Sequence, residues 1–188
     1  MLKQINVVLS VLLLVSAAPS IAATVLTDAN LDQFEAMLPK LQQLEQRPQN
    51  KQFNLQQHCD WPRHYRELSA QEKDSNYQAK IEQLIKQHGF TPEQFVELSA
   101  KVTWPVLDSV QPMLEVSRQA LMFLPAQQRQ STEKTIKQGQ QYYQTLTGCL
   151  TAADKAALVK QRDRIMQIAK RLGGVEKMLP AGMPLNGS

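Results

Sequence analysis

His58, Cys59, Asp60 and His64 fall within one seven-residue window, in the stretch LQQHCDWPRHYREL spanning residues 55–68. A thiol beside imidazoles and a carboxylate can do three things. It can ligate a soft metal, attack as an imidazole-activated thiolate, or form half of a disulfide. Zinc wants four ligands at recognisable spacing, and one Cys with His58, His64 and His88 scattered about it does not provide them. A thiolate nucleophile needs a His delivered by the fold and a compartment that keeps the thiol reduced. A labile redox pair usually takes the C-x-x-C form, which the sequence lacks. The chain has 2 cysteines, and the second, Cys149, lies in TLTGCLTAADK.

The compartment decides between these chemistries. Lys3 precedes an apolar run from Ile5 to about Ala18, which is followed by small residues. That run is shorter than the roughly 20 apolar residues a membrane-spanning helix needs. Ser20 and Ala22 suit the −3 and −1 positions of a signal-peptidase site, so residues 1–22 read as a signal peptide cleaved after Ala22; the alternative is an uncleaved N-terminal anchor. No cysteine follows the run to carry a lipid. The mature protein is therefore expected in the periplasm without a transmembrane span. In an oxidising compartment two cysteines, and only two, read as a pair. Cys59 and Cys149 are the expected structural disulfide, and closing a 90-residue separation (149 less 59) stabilises by about 4 kcal/mol in the chain-entropy model.

The elements that must position that pair are helical. The 188 residues contain 7 Gly and 6% aromatics, with Leu, Gln, Ala, Lys and Glu plentiful, a composition that favours helix over sheet. Asn30 with Gln33 reads as the start of a first helix whose apolar face is Leu31, Phe34, Met37, Leu38, Leu41 and Leu44, kinked at Pro39. After a polar loop around Pro48, Asp60-Trp61-Pro62 starts a short helix through about Leu68. Ser69 with Glu72 reads as a capping box for a third helix, striped by Tyr77, Ile81, Leu84, Ile85 and His88 and ended by Gly89. His88 in its last turn complements the helix dipole and can bond free carbonyls. Thr91 and Pro92 open the next helix, and Trp104-Pro105 is expected to break or kink it. Beyond that point apolar residues from Val106 to Leu124 cover more than half the helix circumference, despite Pro112, which predicts a central helix buried on several sides.

Pro125 opens a helix to about Leu146, with Gly139 on its inner face to admit a close neighbour. Thr151 starts the last long helix, with Leu158, Ile165, Ala169 and Leu172 inward and Gly173-Gly174 closing it. The expected fold is a single-domain all-α bundle of five or six helices over residues 23–174, with Pro kinks, one disulfide and a loose tail at 175–188.

Little in the sequence looks catalytic. G-x-S-x-G, H-E-x-x-H, a phosphate loop and a dinucleotide fingerprint are all missing. Glu93 and Glu97 stand one turn apart, but such pairs are common on solvated helix faces. The methionines are dispersed through core-like stripes and form no copper motif. No catalytic residue, metal or cofactor is expected. Lys160, Arg164, Lys170 and Arg171 share the face of the last helix opposite Leu158 and Ile165. Such a face is either simply solvated or a contact for an anionic partner: lipid headgroups, lipopolysaccharide, peptidoglycan or acidic protein. The formal charge of +4 falls to +3 in the mature chain, where 20 basic residues (the 21 less Lys3) oppose 17 acidic ones. That is too mild to imply nucleic acid.

A leader, then LTDANLDQFEAMLPKLQQL, HGFTPEQFVELSAKV and LTAADKAALVKQRDRI, make the chain resemble small uncharacterised exported α-helical proteins of Gram-negative bacteria. The likeness covers most of the mature chain and names no chemistry. Separately, Leu26-Thr27-Asp28-Ala29-Asn30 and Leu150-Thr151-Ala152-Ala153-Asp154 are similar to the repeated L-T-x-x-Q motif of Spy/CpxP-type periplasmic chaperones. That resemblance implies a basic helical protein binding unfolded clients without ATP. Asn30 and Asp154 stand where that motif has Gln, and a disulfide is unexpected there. The sequence therefore points to a non-enzymatic periplasmic binding or envelope-accessory protein, with a chaperone-like client binder as the alternative and an enzyme on an unfamiliar helical scaffold behind both. An exposed concave apolar patch would favour client binding, a closed bundle with a polar surface the accessory role, and a deep pocket with converging polar groups an enzyme or a small-ligand carrier.

Overall fold

The computed structural model describes residues 24–44, 59–72 and 74–171. Seven α-helices occur among them: α1 (Asp28–Gln43), α2 (Trp61–Gln71), α3 (Ser75–Gln87), α4 (Pro92–Ala120), α5 (Ala126–Gly148), α6 (Ala152–Lys160) and α7 (Arg162–Arg171), with a 3₁₀ turn at Leu121–Phe123 after α4. No strand occurs among the described residues. The all-α bundle with its Cys59–Cys149 disulfide is as the composition and the cysteine arithmetic imply. No helix among the described residues is long and apolar enough to cross a membrane. The signal peptide of 1–22, the Pro48 loop, His58, Leu172, Gly173-Gly174 and the tail of 175–188 lie outside the described residues.

The starts of α1, α2, α3, α4 and α6 follow side-chain acceptors, and two differ from the sequence expectation. The first helix is capped by Thr27, whose hydroxyl accepts from Asn30 N at 3.1 Å, while Asn30 turns back to donate to Val25 O at 2.8 Å. Ser69 and Glu72 do not open α3. Residue 69 is still inside α2, and Asp74 caps α3 by accepting from Asn76 N and Tyr77 N at 2.9 and 3.1 Å. A carboxylate that satisfies two orphan amides is a stronger cap than a hydroxyl three residues inside a running helix. At the other end of α3 it is the backbone amide of His88 that meets the Leu84 and Ile85 carbonyls. Gly89 then takes φ 78°, a left-handed conformation that only Gly adopts freely. The expected caps at Asp60 and Thr91 are in place.

Two prolines fail to interrupt α4. Both Pro105 and Pro112 lie inside a helix of 29 residues. A mid-helix Pro removes an i→i−4 hydrogen bond and crowds a carbonyl. Here burial on both sides of Pro105 outweighs that cost: Leu98 and Val102 pack into one core, Ala100 and Leu107 into another, and Val106 is fully buried beside them. The first core joins α1, α3, α6 and α7 through Leu31, Phe34, Met37, Leu84, Leu158 and Ile165. The second gathers Trp61, Tyr142, Leu146 and Cys149. Trp104 packs against both, stacks on Tyr143 with ring centroids 6.1 Å apart, and donates to Thr147 Oγ1 at 2.9 Å. The α4 helix is thus a wall shared by two cores.

The last helix divides into α6 and α7 at Gln161, which accounts for one of the additional helices. The bonds Gln161 N→Ala157 O (2.9 Å) and Ile165 N→Gln161 O (3.0 Å) persist across the joint, so the interruption is local. The Gln161 side-chain amide donates to Asp28 at the start of α1. Gly139 faces α4, but a Cβ there would meet Leu114 Cδ1 at 3.8 Å, an ordinary contact distance, so the approach does not require Gly.

Candidate functional site

Cys59 and Cys149 form a disulfide with Cα atoms 5.3 Å apart, which removes both sulfurs from the ligand and nucleophile roles. The bond ties the residue before the α2 cap to the residue after α5. Asp60 accepts from Arg63 N as the α2 cap, and the buried His64 packs on Trp61 at 5.7 Å between ring centroids. The opening constellation is therefore a staple and a capped turn.

The basic face of α6 and α7 is turned largely onto α1. Lys160 reaches Asp28 at 3.1 Å, Arg164 reaches Asp32 at 2.5 Å and Glu35 at 3.0 Å, and Arg171 also pairs with Glu35. Lys170 is exposed. Partial burial would raise the Glu35 carboxyl, but hydrogen bonds from Arg164 and Arg171 outweigh it and hold the group below its ordinary value. Three of the four cations thus face acids of α1, and Arg164, the least exposed of them, clips α7 to α1. The sequence reading missed this because the acidic stripe on α1, Asp28, Asp32 and Glu35, is separated from them by more than 120 residues.

A second charged group is buried outright. Asp154 is 0% and Lys101 4% exposed, with Lys101 Nζ 2.9 Å from Asp154 and 2.5 Å from Glu97. Asp154 also accepts from Thr24 Oγ1 at 2.6 Å, Thr151 N at 2.9 Å and Thr151 Oγ1 at 2.8 Å, while its own amide donates to Thr151 Oγ1. Burial pushes this carboxyl up, and the bonds from Thr24, Lys101 and Thr151 more than reverse the effect, leaving it below the usual carboxylate range. Glu97 serves Lys101 in this cluster, so Glu93 and Glu97 do not work as a carboxylate pair. Asp154, where the L-T-x-x-Q motif has Gln, is what lets a capping residue neutralise a buried Lys. The signal available in the sequence was a lone Lys inside the apolar run LSAKVTWPVL.

A shallow groove of about 440 Å³ lies between α1 and α3, lined by Lys40, Gln43, Leu44, Lys80, Gln83, Leu84 and Gln87. Lys40 Nζ stands 3.2 Å from His88 Nε2 at its edge. It is open and holds no convergence of acid, base and nucleophile.

The surface that departs most from expectation is the second half of α4. Residues Val106 to Leu124 were expected to be buried on several sides, yet burial on this helix stops at Leu107. Two apolar stripes run along α4. One, through Leu107 and Leu114, is covered by α5, whose Ile136 and Gly139 are buried against it. The other, on the face of the buried Val102 and Val106, passes the exposed Ser109 and then carries Met113, Val116 and Ala120, with Phe123 on the 3₁₀ turn beyond. It loses its cover where α6 and α7 end, because Arg162, the first residue of α7, meets Asp108 at 2.9 Å. Met113 is then 53%, Val116 65% and Phe123 82% exposed, with Met122 at 68% on the turn. A two-helix arm of α4 and α5 extends past the bundle for roughly 20 Å, at 1.5 Å per residue from Leu107 to Ala120. Exposed apolar side chains in a continuous row mark a docking surface more often than a solvated one.

Comparison of the chain with protein-family models, with curated proteins and with solved structures finds no match.

Proposed function

We propose that this chain is a non-enzymatic helical module of the bacterial envelope, exported to the periplasm, that works by docking a polypeptide on the arm formed by the distal halves of α4 and α5. The observation that carries this is the uncovered stripe Met113, Val116 and Ala120 on the same face of α4 as the buried Val102 and Val106, with Phe123 exposed on the turn after it. The disulfide supports an oxidising compartment. The charged clusters described above, Lys101 with Asp154 and Glu97 and Arg164 with Asp32 and Glu35, are structural pairs, which favours a binding role over catalysis. An anionic envelope surface draws less support, since Lys160, Arg164 and Arg171 already face acids of α1. A chaperone-like client binder is the second reading: two of the exposed apolar residues are Met, whose flexible thioether adapts to varied partners.

A photo-cross-linking residue at Val116, with one at exposed Lys155 on α6 as control, tests the docking role in living cells. Adducts to polypeptide are expected from position 116 and not from 155. Silence at both would refute docking through the arm. The adducts should carry a chain that begins at Ala23 by mass.

A further inference from the structure

We infer that the occupant of the uncovered α4 stripe is the same stripe of a second copy, packed antiparallel across a two-fold axis. This rests on the docking role proposed above and names its partner. The spacing fits a helix: Met113, Val116 and Ala120 recur on α4 at 3 and 4, the interval that meshes two helices at about 20°, and Phe123 follows three residues on, at the end of the 3₁₀ turn that continues α4. The four are symmetric about position 118. An antiparallel pair therefore sets Met113 against Phe123 of the other copy and Val116 against Ala120, large beside large at the ends and a small residue at the centre.

The flanks agree with self-pairing. Positions beside the stripe are Pro112, Ser117 and Gln119, all uncharged, so a second copy brings no like charges together. Of the charges around it, Glu115 and Arg118 bond each other at 3.3 Å and Arg118 reaches Gln140 on α5 at 2.6 Å, while Arg129 is taken up by the carbonyls of Met122 and Leu124 at 3.3 and 3.1 Å, at the Phe123 end alone. A parallel arrangement is excluded by bulk, because the bundle already covers Val102 and Val106 on this very face. Antiparallel arms place the two bundles at opposite ends. At the exposures above, side chains of about 150–200 Å² offer about 400 Å² per copy. With the flanking positions the pair buries on the order of 1,000 Å², the lower edge of a specific interface. The dimer is accordingly a weak, concentration-dependent one.

Sedimentation velocity of the purified exported protein across a concentration series tests this. A reversible monomer–dimer equilibrium is expected. Val116→Glu should raise its dissociation constant by about tenfold or more, with helical content and melting temperature unchanged because Val116 is already exposed. Val116→Lys and Ala120→Glu should each weaken self-association, and mixing the two should restore a heterodimer. A monomer at every concentration, or a dimer indifferent to Val116→Glu, overturns self-pairing. Restoration by Val116→Lys with Val116→Glu, in place of Ala120→Glu, overturns the antiparallel arrangement. Cross-links from Val116 to another polypeptide alone would sink self-pairing and leave docking through the arm standing.

Discussion

Replacing Lys101 by Met is the sharpest test of what holds the bundle together. Met approximates the length of the Lys stem and keeps the site packed, so the change isolates the charge. Asp154 has no solvent exposure, and Lys101 is the cation it faces; Glu97, by contrast, keeps 21% of its side chain in water. Breaking a buried ion pair from one side leaves the other charge uncompensated, at a cost of about 3–5 kcal/mol. For a chain of this size that lowers the melting temperature by roughly 10 °C, at about 2–4 °C per kcal/mol. Asp154→Asn should cost less, because Lys101 retains Glu97 and the amide oxygen can still accept from Thr24 and Thr151.

The pH dependence supplies an independent check. In the native protein the Asp154 carboxyl is held below 3.8. Its contribution is fully present above the unfolded-state value and is lost only as pH falls through the lower folded one. Without Lys101, burial is no longer offset by that cation and the folded value moves up. The deficit of Lys101→Met should then be largest near pH 7 and shrink as the solution approaches about pH 4, where Asp154 takes up a proton. Urea unfolding followed by circular dichroism at both pH values reads this directly. A loss under about 1 kcal/mol, or an equal loss at both pH values, would refute the buried pair as an electrostatic unit.

The other stability predictions concern the two clips on the bundle. Reducing the disulfide, or Cys59→Ser, should cost about 4 kcal/mol through the freed unfolded chain, less where the unfolded state keeps structure; an unchanged urea midpoint under reductant would contradict it. Arg164→Gln should cost up to about 1 kcal/mol and the loss should diminish in high salt, because its bonds to Asp32 and Glu35 are partly exposed. Lys160→Gln, whose pair with Asp28 is open to solvent, should leave the melting curve where it is.

What the sequence discloses and what it withholds divide along physical lines. Local signals were legible: the Thr91 box, the Asp60 cap with Pro62, the positive-φ Gly89 and the cysteine pair each depend on neighbours in sequence or on compartment. Ser69-Glu72 misled because the motif says a hydroxyl can cap, while Asp74 a few residues on caps better. Of the break or kink read at Trp104-Pro105, the break does not occur, because α4 runs on through Pro105. Its local cost is real, but the burial of Val102, Val106 and Leu107 around it belongs to tertiary packing, which no dipeptide encodes. The α1–α7 ion pairs were hidden by sequence distance, and their cations looked like a surface for others.

The α4 stripe shows the limit most clearly. Periodicity reports which faces of a helix are apolar, and on this one it correctly found more than half the circumference. It does not report what lies against each face. Cover depends on where neighbouring helices end, and α7 begins opposite Asp108, so the stripe that Val102 and Val106 share with the core runs on bare to Phe123. The same composition that predicts a central helix therefore also describes a helix that outlasts its bundle. An apolar row left bare costs solubility and helps no packing within the chain. Its run from Met113 to Ala120 at helix-pairing intervals makes sense if its cover is supplied by another helix, and the order of residues, symmetric about position 118, is what the proposed pairing with a second copy uses.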